Sequence, residues 1–302
     1  MNRYVIILAI FCTLGCNSPK AIPEEKNGVF EIKIENLLLE TDPRIGGRIT
    51  SLKIDGENFF TGKDVNANYW GSTFWPSPQN SWKEGTVPPE LDNQPYSVQV
   101  QNDVIKMVSE KDSTFGYVFT KEISGDVKSK SFTIKYTIDN QSGKTQKIAP
   151  WEVTRVHTKG ITFYPAGTGE RRGNIANLAE DKDGITWFTY EEDTIPVQHN
   201  KFFADGSEGW IAQVNGDVLF VKKFPDIMAD KAAPSEAEIE VYANPDKSYV
   251  EVEQQGEYKE LQTGDTLIWE VKWFLRRLPP DIKPESGNPA LVSYVRDLVF
   301  AQ

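Results

Sequence analysis

The stretch Pro150 to Pro165, PWEVTRVHTKGITFYP, places a Trp, a Glu, an Arg and one of the chain's two histidines within eight residues. Its β-branched content reads as strand, so directional polar groups alternate with residues suited to a pleated surface. On such a strand Trp151, Val153, Arg155 and His157 share one face, and Glu152, Thr154 and Val156 share the other. If one face looks into a cleft, these residues form a site. Otherwise they are an edge strand with a solvated Arg and Glu. The planar guanidinium of Arg155 suits a carboxylate-bearing sugar or paired hydroxyls, and equally a salt bridge to Glu152 or a neighbouring strand.

A second stretch, Tyr69 to Tyr96, carries three of the eight Trp (Trp70, Trp75 and Trp82), Phe74 and five Pro over 28 residues with little strand pattern. A loop that long in a compact domain usually has a purpose. Indole faces stack on the C–H surfaces of sugar rings while amide, carboxylate and guanidinium groups hold hydroxyls, so this is the composition a carbohydrate cleft needs. The competing reading is that the three Trp bury a structured loop against a sheet. Glu236, Glu238 and Glu240 alternate along one strand face, and a solvated surface accounts for them.

Short runs with period-two alternation begin at Val29 and are separated by turns such as Asp55-Gly56, Asp183-Gly184 and Asn215-Gly216. Arg48 to Ile54, Ile148 to Val156, Ile239 to Ala243 and Tyr249 to Glu253 are typical strands. About fourteen such runs without intervening helices predict an all-β fold, in a single domain over residues 29–302. One helix is expected at the end, capped by Asn288, started by Pro289 and striped by Leu291, Val295, Leu298 and Val299.

The chain opens with Arg3, an apolar run from Tyr4 to Leu14 and a small residue before Cys16, so residues 1–15 read as a signal peptide. Thr13-Leu14-Gly15-Cys16 resembles a bacterial lipobox, with an aliphatic residue more usual at Thr13. Cys16 would then carry lipid, residues 16–28 would be a flexible tether, and the protein would be anchored in the bacterial cell envelope, facing the periplasm or the outer-membrane surface. Beyond Cys16 the chain has no cysteine, so stability must come from a core rather than disulfides. The net charge of −11 argues against nucleic-acid partners. Two histidines and no further cysteine leave no zinc pattern, calcium through carboxylates stays open, and phosphate-loop and nucleophile-elbow motifs are missing, so no cofactor is expected.

Gly46-Gly47-Arg48-Ile49 through Asp55-Gly56 looks like the opening hairpin of aldose epimerases and the wider galactose-mutarotase-like superfamily. Tyr249-Val250-Glu251-Val252-Glu253-Gln254, followed by Leu261-Gln262-Thr263-Gly264-Asp265, is similar to that family's closing pattern, and PWEVTR sits where the family places its histidine-bearing strand. The whole domain after the tether resembles the superfamily, as a bacterial lipoprotein branch. The resemblance implies an all-β galactose-mutarotase-like β-supersandwich, with Arg48 on the substrate side and Glu253 as the base that removes the anomeric proton. The acid position falls on Val153, which delivers no proton. Either His157 or Glu152 has taken over, or the cleft has kept sugars and lost the reaction.

Three functions follow as expectations. The favoured one is a carbohydrate-binding envelope lipoprotein, its cleft lined by Trp70, Trp75, Trp82, Trp151, Glu152 and Arg155, taking a mono- or oligosaccharide. The second is an epimerase with Glu253 as base and His157 as acid. The third is a scaffold lipoprotein with no small ligand.

Overall fold

The computed structural model describes residues 20–198 and 200–300, so the span read as a signal peptide, Cys16 and His199 lie outside the described residues. Two antiparallel sheets of twelve and ten strands lie face to face, and a helix at Pro289–Phe300 completes the chain. At the centre of the larger sheet, Ser72–Ser77, Gln146–Val156, Val250–Gln255, Ile239–Ala243 and Asn200–Ala204 lie side by side in that order.

Alternation decides what each sheet buries. The inward residues of both sheets form one core in which Phe74 stacks on Tyr136 (centroids 3.9 Å) and Phe60, Phe220 and Trp273 meet edge to face. The outer face of the ten-stranded sheet is also apolar, and the terminal helix covers it: Leu291, Val292 and Val295 pack on Trp187, Trp210, Leu219 and Phe274. Asn288 Oδ1 accepts from the Ala290 amide at 3.0 Å, which is the cap expected from sequence.

Four local readings are corrected. Glu24–Lys26 pairs with Val29–Ile34 and Ala21 is buried, so sheet structure begins inside the span read as tether. The alternation that begins at Val29 runs through two strands, Val29–Ile34 and Leu37–Asp42, because the chain turns through Glu35 at φ 53°. Ser72–Ser77 is a fully buried strand inside the Trp- and Pro-rich stretch read as loop, paired with Gln146–Val156 so that Trp75 faces Trp151. Asn200–Ala204 is a further strand, paired with Ile239–Ala243.

Candidate functional site

The outer face of the twelve-stranded sheet takes the odd-numbered residues of four of the five central strands and the even-numbered Glu240 and Tyr242 of Ile239–Ala243. Their registers align these residues into rows. One row runs Thr73, Val153, Glu253, Glu240, Phe203, and the next runs Arg155, Glu251, Tyr242, Lys201. Trp151, Val153 and Arg155 thus share a face, as the alternation requires.

Two buried carboxylates, Glu240 and Glu253, oppose each other across adjacent strands, an arrangement that is destabilising without a counter-charge. Lys201 supplies it. Its Nζ lies 2.5 Å from Glu240 Oε2 and 2.9 Å from Glu253 Oε2, above the Trp151 ring at 4.7 Å. Burial alone would lower the Lys201 pKa, but the charges of Glu240 and Glu253 outweigh it and hold the ammonium above its ordinary value. Burial pushes Glu240 well above the carboxylate range, with Glu253 and Glu236 adding to the shift and Lys201 opposing it.

Arg155 is fully buried. Its Nε donates to Glu251 Oε1 and its Nη1 to Thr73 Oγ1, each at 2.7 Å, and the guanidinium stacks over Trp75 at 4.7 Å. Burial raises Glu251, an effect that Arg155 offsets and Glu253 reinforces. Among the described residues of this site, Arg155 Nη2, Glu253 Oε1 and Arg48 Nε are buried with no hydrogen-bond partner, and Glu240 Oε2 has only its ion pair with Lys201. Unpaired buried polar groups are rare and costly.

Trp75, Trp82 and Trp151 pack together with ring centroids 5.5 to 5.6 Å apart. Each indole N–H has an acceptor: Trp75 donates to Asp92 Oδ1 (2.7 Å), Trp82 to the Pro76 carbonyl (2.7 Å) and Trp151 to Glu253 Oε2 (2.8 Å). The segment after Pro78 folds over this floor, pinned where the Gln79 amide donates to Glu236 Oε1 at 2.7 Å. Its far end is set by Gly46, at φ +71°, where a Cβ would lie 1.9 Å from the Asp92 carbonyl oxygen; only glycine lets Asp92 come this close to Arg48. A cavity of about 290 Å³ remains, walled by Tyr69, Trp75, Trp82, Trp151, Tyr242 and Tyr249, with Lys201, Glu251 and Asp92 among its polar groups. That is near the small end of ligand-pocket sizes.

A larger cleft of about 530 Å³ opens beside Tyr164, Arg171, Asp181 and Asp205. Its one cation is already bound, Arg171 Nη1 lying 2.7 Å from Asp181 Oδ1, and Tyr164 is the one aromatic in its wall. The aromatic cavity is the better-equipped site.

The structure brings Trp75, Trp82, Trp151, Arg155 and Glu253 together, the three indoles in the cavity wall and Arg155 and Glu253 fully buried and not among its lining residues. Trp75 and Trp82 are also buried against the sheet, so both readings of these indoles hold at once. Arg48 and Trp70 lie at the margin, stacked on each other at 5.1 Å, with Arg48 Nη2 3.8 Å from Asp92 Oδ1. Glu152 is not in the cleft, because an even-numbered residue on this strand faces the inter-sheet core. His157 lies past the strand end at Val156, exposed, with its carbonyl accepting from Asn215 Nδ2 at 3.0 Å. Four residues of strand separate it from the Glu253 row, roughly 13 Å, so the expected base and acid are not brought together. Glu236, Glu238 and Glu240 are buried rather than solvated. Burial pushes Glu238 up to about 8 even though its carboxylate accepts from the amides of Ile227 and Gly206. Sequence reasoning missed Lys201, Glu240 and Glu251; the signal for Glu251 was its position two residues before Glu253.

The chain matches no protein-family model and no curated protein in sequence. Solved structures do match in fold. A galactose mutarotase related enzyme from Lactobacillus acidophilus aligns at TM-score 0.59 and 10% identity, covering 84% of this chain and 99% of that one. A galactose mutarotase-like protein from Lactobacillus casei aligns at 0.57 and 11%, covering 82% and 100%. A TPR-domain containing protein from Parabacteroides distasonis aligns at 0.61 and 15%, covering 85% of this chain and 49% of that protein, so the match spans about half of it. The fold is therefore galactose-mutarotase-like.

Proposed function

We propose that this protein binds carbohydrate in the cavity over Trp75, Trp82 and Trp151. The observation that carries the reading is a cavity of about 290 Å³ in which the rings of Trp75, Trp82, Trp151, Tyr242 and Tyr249 stand beside the polar groups of Lys201, Glu251 and Asp92. Sugar rings offer C–H faces to the former and hydroxyls to the latter. Anomer exchange also needs an acid opposite the base across one ring, and His157 lies outside the cavity, so the geometry favours binding without that reaction. The protein would act as a lipid-anchored envelope component, a reading that rests on Thr13 to Cys16.

The test is NMR of the full chain with a panel of aldoses, uronic acids and oligosaccharides. The expected result is ligand line broadening without faster α/β exchange. Accelerated exchange would make the protein an epimerase, and no broadening with any sugar would favour the scaffold reading.

A further inference from the structure

The lining of the aromatic cavity separates into a charge-paired interior and an uncharged rim. Three charged side chains reach it, and each has its counter-charge within the protein: Glu251 lies 2.7 Å from Arg155, Asp92 3.8 Å from Arg48, and Lys201 2.9 Å from Glu253. Glu240, the second carboxylate on Lys201, is pushed up by burial and adds no charge of its own. An ammonium or a carboxylate entering here would have to break one of these pairs and leave the displaced partner buried. The lining residues open to solvent are Tyr69, Gln79, Gly85, Thr86 and Asn93, all uncharged. Amides and hydroxyls of this kind both donate to and accept from neutral hydroxyls.

Tyr69 bears on the length of the ligand. Trp75, Trp82 and Trp151 are 8% exposed or less and form the floor, whereas Tyr69 is 49% exposed and stands at the mouth. Its place is nevertheless fixed. The Tyr69 amide donates to Asn66 Oδ1 (2.9 Å), and the neighbouring Asn68 carbonyl accepts from the buried Arg48 Nη1 (3.0 Å). The guanidinium of Arg155 spaces Tyr69 from the floor, lying 5.8 Å from the Tyr69 ring and 4.7 Å from that of Trp75. The cavity thus has a second aromatic platform at its mouth, one that a ring seated on the floor leaves free.

Resting on the carbohydrate reading above, we infer that the ligand is a neutral oligosaccharide of at least two rings, one seated on the Trp floor and the next stacked on Tyr69. The paired charges below select against charged sugars, and the platform above selects against single ones.

Calorimetric titration of the full chain tests this with glucose, mannose, galactose and xylose against their 1,4-linked disaccharides and trisaccharides, and with galacturonate and chitosan oligosaccharides of equal length. The best neutral disaccharide is expected to bind about tenfold tighter than its monosaccharide and tighter than either charged series. In Tyr69→Ala that disaccharide-to-monosaccharide ratio, taken within one preparation, is expected to fall to within about twofold of unity, while Tyr69→Phe keeps it. Equal binding of single and linked sugars in the unaltered protein, a ratio that Tyr69→Ala leaves unchanged, or a preference for either charged series overturns this inference and leaves carbohydrate binding standing. Binding of none of the probes overturns both.

Discussion

The strand Gln146–Val156 carries a buried lysine–glutamate system on each of its two faces, and the two are finished differently. On the inner face Glu152 Oε1 accepts from Gln254 Nε2 (2.6 Å) and Trp273 Nε1 (3.1 Å) and lies 3.0 Å from Lys222 Nζ, while Oε2 accepts from Tyr136 (2.6 Å). Lys222 also donates to the Val252 carbonyl and Gln254 Oε1, both at 2.9 Å. Every charge and lone proton there has a protein partner. On the outer face Lys201 serves two carboxylates, and Glu253 Oε1 and Arg155 Nη2 are left without one. A closed network specifies packing; the open one is where the proposed sugar site lies.

The comparison breaks most readily on its inner side. Glu152→Ala strands a buried Lys222 charge and is expected to cost about 3–5 kcal/mol in denaturant unfolding. A loss below about 1 kcal/mol would mean that the inner network is not the closed structural unit described.

The two lysines also differ in titration. Burial lowers Lys222 from 10.5 to about 8, and Glu152 only partly offsets it. Between those values the unfolded chain holds a proton that the folded chain does not, so stability from this group rises with pH across the window and is lost as pH falls through about 8. Lys201, raised rather than lowered, contributes stability in full below its ordinary 10.5 and loses it only at higher pH. Unfolding free energy measured against a Glu152→Gln/Lys222→Met double variant is therefore expected to increase from pH 8 to 10.5; a flat difference would contradict the assignment.

Glu253→Gln sharpens the contrast from the outer side. Gln retains an acceptor for Trp151 and Lys201 retains Glu240, so stability is expected to fall by only about 1 kcal/mol while sugar affinity drops about tenfold. A variant that loses stability without losing affinity would make the outer system structural too. The smallest effect is expected for His157→Ala, which leaves affinity unchanged and stability within about 0.5 kcal/mol. A large loss of binding there would return His157 to the site.

Much of this was legible in the sequence because period-two alternation is local. Arg48–Ile54 and Ile239–Ala243 have the bounds that the pattern marks, and the shared face of Trp151 and Arg155 follows from the pleat alone. Three features were hidden, each for a physical reason. The strand Ser72–Ser77 is masked by Pro76 and two large aromatics, which read as loop chemistry. Glu238 and Glu240 alternate as a solvated face would, and what reverses the reading of Glu240 is Lys201, brought in by a strand pairing from distant sequence. His157 continues the alternation past the point where the strand stops, so the pattern placed it one step too far along.

The central claim is that the outer network is completed by a sugar. A crystal structure of the protein soaked with the tightest-binding sugar of the NMR panel tests it most directly. The account predicts a ring seated on Trp82 and Trp151 with hydroxyls on Lys201, Glu251 or Asp92. A sugar lodged in the cleft beside Tyr164 and Asp205 would contradict it.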